Sequence, residues 1–140
     1  MVRYLVGLLS FVLAASFVIV AQTEPTLTSA ALPSYPPLAC QARIHGLVKV
    51  RFTLPARSKE PTNIAVLSGH PMLKEAALEN VKTWRFDNPY AVDRSYETTF
   101  DYRVSERLLT AGQKKRLTVT LESFDRVEVM TDAYESGVNY

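Results

Sequence analysis

The sequence predicts an α+β domain: a small antiparallel sheet with one main helix packed on a face, in α-β-β-α-β order, plus an extra C-terminal strand or hairpin. Three observations carry this. Apolar and polar residues alternate through Val48, Val50, Phe52 and Leu54, and again through Tyr96, Thr98, Phe100, Tyr102 and Val104, which is the period of a half-buried strand. Leu73, Ala76, Ala77, Val81 and Trp84 recur between them at helical spacing. A short proline-bounded link, Pro55–Pro61, joins the first strand to a second and makes the two an antiparallel hairpin.

The elements follow in order. Proline fits the first turn of a helix, so Pro37–His45 is expected as a short helix that Gly46 ends in a left-handed conformation. Leu38, Ala42 and Ile44 are its expected buried positions. Leu47–Leu54 is the first strand, with Lys49, Arg51 and Thr53 facing away from its apolar side. Thr62–Leu67 is the second, with Ile64 and Val66 on one face. Ser68-Gly69-His70-Pro71 stops that strand and starts the main helix, whose Lys74, Glu75, Glu79 and Lys82 face solvent. Its Ala76-Ala77 pair permits close approach to a sheet, and Trp84 and Phe86 add large apolar area at its end. Asp87–Arg94 is a loop, and Tyr96–Val104 is the third strand, rich in aromatic and β-favouring residues. Ser105–Arg116 is a loop or one helical turn. Leu117, Val119 and Leu121 then alternate with Thr118, Thr120 and Glu122 as a fourth strand, and Arg126–Thr131 continues it as a bent strand or second short hairpin.

The chain divides accordingly. Residues 1–21 are a signal peptide or an N-terminal membrane anchor, because Tyr4–Ala21 is uncharged and almost wholly apolar behind the single cation Arg3. In either case the rest of the chain emerges on the far side of the cytoplasmic membrane. Residues 22–34 are polar, small and proline-punctuated, a linker. Residues 35–104 form the domain, 105–131 an additional strand segment and 132–140 a loose tail.

Composition narrows the function. Sixteen basic and fourteen acidic residues leave a formal charge of +2, too balanced for a dedicated nucleic-acid binder. One cysteine excludes an intrachain disulfide framework, and two histidines leave little room for a histidine-based metal centre. Cys40 reads as a lone thiol on a short helix. Ser68, His70 and Asp87 could be written as a triad, but nothing positions them and no G-x-S-x-G elbow is present. His70, before a proline at a helix start, suits a capping role, and His45 a place at a helix end. There is no glycine-rich phosphate loop among five glycines. Lys114-Lys115-Arg116 reads as a solvated basic run, with an anionic membrane surface as the weaker alternative. No catalytic residue, cofactor or metal is expected. What remains is backbone: a short sheet has edges, and an edge can accept an extended peptide as an added strand.

Several ordered segments resemble one family. Tyr35-Pro36-Pro37-Leu38-Ala39, Ala42-Arg43-Ile44-His45-Gly46-Leu47-Val48-Lys49-Val50, Val66-Leu67-Ser68-Gly69-His70-Pro71-Met72-Leu73, Glu75-Ala76-Ala77-Leu78 and Trp84-Arg85-Phe86 are similar to the TonB carboxy-terminal domain, over about Tyr35 to Val104. The resemblance implies a periplasmic domain that contacts outer-membrane transporters, with the last core strand pairing with a short peptide of the transporter plug. The partner-binding residues it implies are Tyr35 and Pro36 ahead of the first helix and Tyr96, Thr98, Phe100 and Tyr102 on the third strand. Three departures bear on force transduction. The tether of residues 22–34 spans only about 45 Å when extended, Tyr4–Ala21 contains no histidine, and Leu117–Leu121 can pair with the third strand and occupy its edge. The expected function is a non-catalytic exported module that binds protein by strand addition, in transport through TonB-dependent transporters. The alternatives are a short membrane-anchored energy transducer, or a structural module whose edge is filled by its own tail or by a homodimer. The membrane is a partner only through residues 4–21, if they are retained.

Overall fold

A computed structural model of the chain describes residues 24–109 and 113–134. Residues 1–21, expected as signal or anchor, lie outside the described residues, as does most of the expected tail. Among the described residues no helix is long and apolar enough to cross a membrane.

The elements are β1 (Thr26–Ser29), α1 (Pro37–Gln41), β2 (Gly46–Leu54), β3 (Thr62–Ser68), α2 (Pro71–Lys82), β4 (Arg85–Asp87), β5 (Arg94–Leu109), β6 (Leu117–Ser123) and β7 (Arg126–Tyr134). Five strands form one sheet in the order β3-β2-β5-β7-β6. All its pairings are antiparallel except β5 with β7, which is parallel. The expected α+β class and its helix-backed sheet are what the chain adopts. Leu73, Ala77 and Val81 of α2 are fully buried with Val48, Val50, Phe52 and Leu54 of β2 and Phe100 and Tyr102 of β5. Trp84 and Phe86 close one end of this core, with Phe52 and Trp84 packed edge to face at 5.9 Å.

The ends of α2 are set by local chemistry. His70 is the N-cap, its Nδ1 accepting the Met72 N–H at 3.1 Å, and Pro71 opens the helix. Gly69 turns the chain from β3 into α2 at φ 142°, and a Cβ there would lie 2.8 Å from Val48 Cγ2. The sharp turn and the close backbone approach both require glycine.

Several expectations are corrected. The first helix ends at Gln41, not His45. Arg43 takes the left-handed conformation (φ 52°) expected of Gly46, and Ile44 N–H donates to Ala39 C=O while Arg43 N–H donates to Cys40 C=O. These two bonds form a Schellman closure with arginine in the usual glycine position. A helix of one turn buries a narrow face, here Ala39 and Cys40, while Leu38 is 65% exposed and Ala42 is exposed too. His45 therefore lies beyond the helix, its Nδ1 3.1 Å from the Arg43 carbonyl.

The stretch expected as a linker contributes β1, antiparallel to β4. It also straps α2: Ala31 N–H donates to Thr83 Oγ1 at 3.0 Å, and Asn80 Nδ2 donates to Ala31 C=O at 2.8 Å. The open polar groups at the end of α2 and along β4 give this polar segment its partners. The third strand runs past Val104 to Leu109, because β7 supplies it with pairs at Ser105↔Asp132, Leu108↔Ala133 and Leu109↔Tyr134. For the same reason Asp132–Tyr134, expected in the tail, belong to a strand. Finally, Leu117–Leu121 does not lie against the third strand. The β6–β7 hairpin folds back so that β7 enters between β5 and β6.

Candidate partner-binding edge

The residues implied in partner binding converge on β5 and the chain ahead of α1. Thr98, Phe100 and Tyr102 alternate on the helix-bearing face of β5 and are fully buried, and Tyr96 is half-buried beside them. Tyr35 is also buried and packs edge to face on Tyr102, ring centroids 5.3 Å apart. Its hydroxyl donates to the Ile44 carbonyl, so it ties the entry of α1 to its exit. Burial pushes the Tyr35 hydroxyl up to about 12, with Cys40 adding a smaller effect. Burial also raises Tyr102 and, less strongly, Tyr96. Pro36 is half-buried as the N-cap of α1. The implied site thus splits: Tyr35, Thr98, Phe100 and Tyr102 spend their side chains on the core, and what β5 can present to a partner strand is its backbone.

That backbone is paired on one side by β2 and on the other by β7, with both present over Thr99–Tyr102. β2 pairs with β5 from Gly46↔Tyr102 to Leu54↔Arg94. β7 pairs with it in parallel from Thr99↔Arg126 to Leu109↔Tyr134. Two sets of side chains hold β7 there. On the helix-bearing face Val127 and Val129 are buried, and Phe124 at the β6–β7 turn packs edge to face on Phe86 at 5.6 Å and on Tyr96 at 5.4 Å. On the other face Asp101 is only 6% exposed, and its Oδ2 accepts from Arg103 at 2.6 Å and from Arg126 at 3.0 Å. Glu128 lies 3.7 Å and 3.8 Å from the same two guanidiniums. Sequence reasoning missed this network. Its only trace is the opposite charge of Asp101 and Arg103, two residues apart on one face of a strand.

Beyond β7 the sheet ends at β6. Leu27, Ala31, Leu32, Trp84, Val119 and Leu121 line a cleft of about 200 Å³ between this strand and the N-terminal strap. At the other margin, β3 carries register irregularities in its ladder with β2.

The remaining candidates resolve into structural roles. His70 caps α2, as its position before Pro71 predicts. Cys40 is buried on α1, as expected of a lone thiol. Lys115, expected in a solvated run, is half-buried with its Nζ 3.0 Å from Cys40 Sγ, and Arg116 N–H donates to Asp132 Oδ2 at 3.2 Å. Among the described residues no group of three or more histidine, cysteine, aspartate or glutamate side chains is placed to hold a metal.

The family model described as the Gram-negative bacterial TonB protein C-terminal matches residues 31–104. The match spans α1 through most of β5 and stops before β6 and β7. No curated protein matches the chain.

Proposed function

The chain belongs to the family of Gram-negative bacterial TonB protein C-terminal domains, and from that premise we propose that it is a non-catalytic periplasmic module that binds an extended peptide by strand addition at β5. The family is one of periplasmic protein-interaction domains linked to transport. Outer-membrane transporter segments are the partners this reading favours.

One observation carries the proposal. The β5 edge already holds an added strand, β7, which is supplied from outside the family match. An edge that accepts its own C-terminal segment in extended conformation has the geometry to accept another. In this reading β7 is an internal competitor, and a partner binds by displacing it. Its affinity is reduced by the fraction of time the edge is covered.

The experiment is a titration of labelled plug peptides with the full chain and with Phe124→Ala, which removes the ring that pins the hairpin to the core. Saturable binding that tightens in Phe124→Ala supports the proposal. The absence of saturable binding to either protein contradicts it.

The same strand favours one second reading, a closed structural module whose edge β7 fills permanently. There, loosening the hairpin lowers stability and gains no peptide binding.

A further inference from the structure

β6 is the outermost strand of the sheet, and among the described residues no strand pairs with its outer side. Protected edges carry a proline, a bulge or an inward-pointing charge. Leu117–Leu121 has none of these: its sequence is Leu-Thr-Val-Thr-Leu, and its ladder to β7 is regular from Leu117↔Thr131 to Leu121↔Val127. Leu117 and Leu121 remain 44% and 47% exposed, although they share a face with the buried Val127 and Val129.

This strand reads the same in both directions. Val119 is its centre, threonines flank it, leucines flank those, and Arg116 and Glu122 stand at the two ends. An antiparallel partner of identical sequence, centred on Val119, sets Thr118 against Thr120, Leu117 against Leu121 and Arg116 against Glu122. Each of these is a favourable cross-strand pair.

The backbone has the matching parity. Asp132 N–H donates to the Arg116 carbonyl at 3.2 Å, so Arg116, Thr118 and Thr120 direct their main-chain groups toward β7. Leu117, Val119 and Leu121 direct theirs outward. In the pairing centred on Val119, outward groups meet outward groups throughout. A register one residue out of step, setting Val119 against Thr118 or Thr120, would face outward groups with groups already used by β7, and centring on Thr118 or Thr120 instead would give up the Leu117–Leu121 and Arg116–Glu122 matches.

We propose that β6 is a homodimer interface, at which two copies of this chain join edge to edge about a two-fold axis through Val119. The two sheets become one continuous sheet with their helix-bearing faces on the same side. The leucines and valines of both strands close over the seam beside the cleft that Leu27 and Leu32 line. A contact of this kind is self-complementary and closed, so it covers the edge without building a filament. It lies outside residues 31–104 and does not use the β5 edge, so it stands apart from the peptide-binding proposal.

Sedimentation velocity of the full chain in mild detergent, from about 1 to about 100 µM, covers the range expected of a small interface. The expected result is a dimer that dissociates on dilution. Val119→Pro removes an outward donor and leaves the bonds to β7 in place, since proline is tolerated on the open side of an edge strand. It gives a monomer with an unchanged circular dichroism spectrum. Arg116→Glu sets like charges at both ends of the seam and weakens the dimer at least about tenfold, and adding Glu122→Arg restores it. This charge exchange reads the seam even where the proline variant fails to fold. A monomer over the whole range would overturn the proposal. So would a folded Val119→Pro protein that is still dimeric, or a dimer indifferent to both charge changes.

Discussion

Gly69 concentrates two constraints in one residue. Its φ of 142° is open to glycine and strained for other residues, and its Cα faces Val48 at the centre of β2 so closely that a methyl group would fall within 3.1 Å of Val48 Cα, Cβ and Cγ2. Gly69→Ala is expected to cost about 2 kcal/mol or more, seen as a melting temperature lower by roughly 6–10 °C. An unchanged melting temperature would mean that the turn relaxes freely. Asn80 works differently, by satisfying others. It is buried, accepts the Trp84 Nε1–H at 2.9 Å and donates to Ala31 C=O, so one amide joins the helix, the central indole and the N-terminal strap. Tyr35 adds a pH dependence. Its hydroxyl is raised from an ordinary 10.0 to about 12 in the folded state, so the unfolded chain ionises first. The stability that the neutral phenol contributes is whole below pH 10 and is lost as pH climbs toward 12. Melting curves from pH 8 to 12 are expected to fall across that window in the wild type and more shallowly in Tyr35→Phe. Equal slopes would remove Tyr35 as the cause.

At the scale of elements, the chain divides into parts that periodicity reveals and parts that only pairing reveals. β2, β3, β5 and α2 were legible because each carries a period over many residues, and the capping pair His70-Pro71 marked the start of α2. β1 was not legible, since Thr-Leu-Thr-Ser has no apolar face and becomes a strand only when β4 and the end of α2 offer it partners. α1 is too short for a face to emerge from spacing, so its buried residues were misplaced. The strand character of Arg126–Thr131 was visible, but its parallel seat between β5 and β6 was not. That placement depends on contacts far apart in sequence: the buried Val127 and Val129, Phe124 on Phe86, and Asp101 between two arginines. For the candidate site, the alternation through Tyr96–Val104 made the strand legible, while Phe100 and Tyr102 entered as partner contacts only through the family resemblance; their side chains serve the core. In the peptide-binding proposal the β6–β7 hairpin is the element that a partner displaces. Removing the Phe124 ring forfeits its contacts with Phe52, Phe86 and Tyr96, at a cost of about 2–3 kcal/mol. Because that loss falls on the hairpin, the peptide-binding reading expects the variant to open locally before it unfolds globally.

At the scale of the molecule, the described residues outside the family match include β1 and the β6–β7 hairpin, while the matched part supplies the helix-backed sheet and most of β5. β7 covers the inner edge, and β6 presents a new, self-complementary one. In the peptide-binding proposal the main chain of β5 is the binding surface and β7 gives way to a partner there. Amide hydrogen exchange of the full chain, with and without a saturating plug peptide, tests this most directly. Peptide is expected to leave the amides of Arg94–Leu109 protected while those of Arg126–Tyr134 lose protection. Protection of Arg126–Tyr134 that stays unchanged under saturating peptide would contradict it.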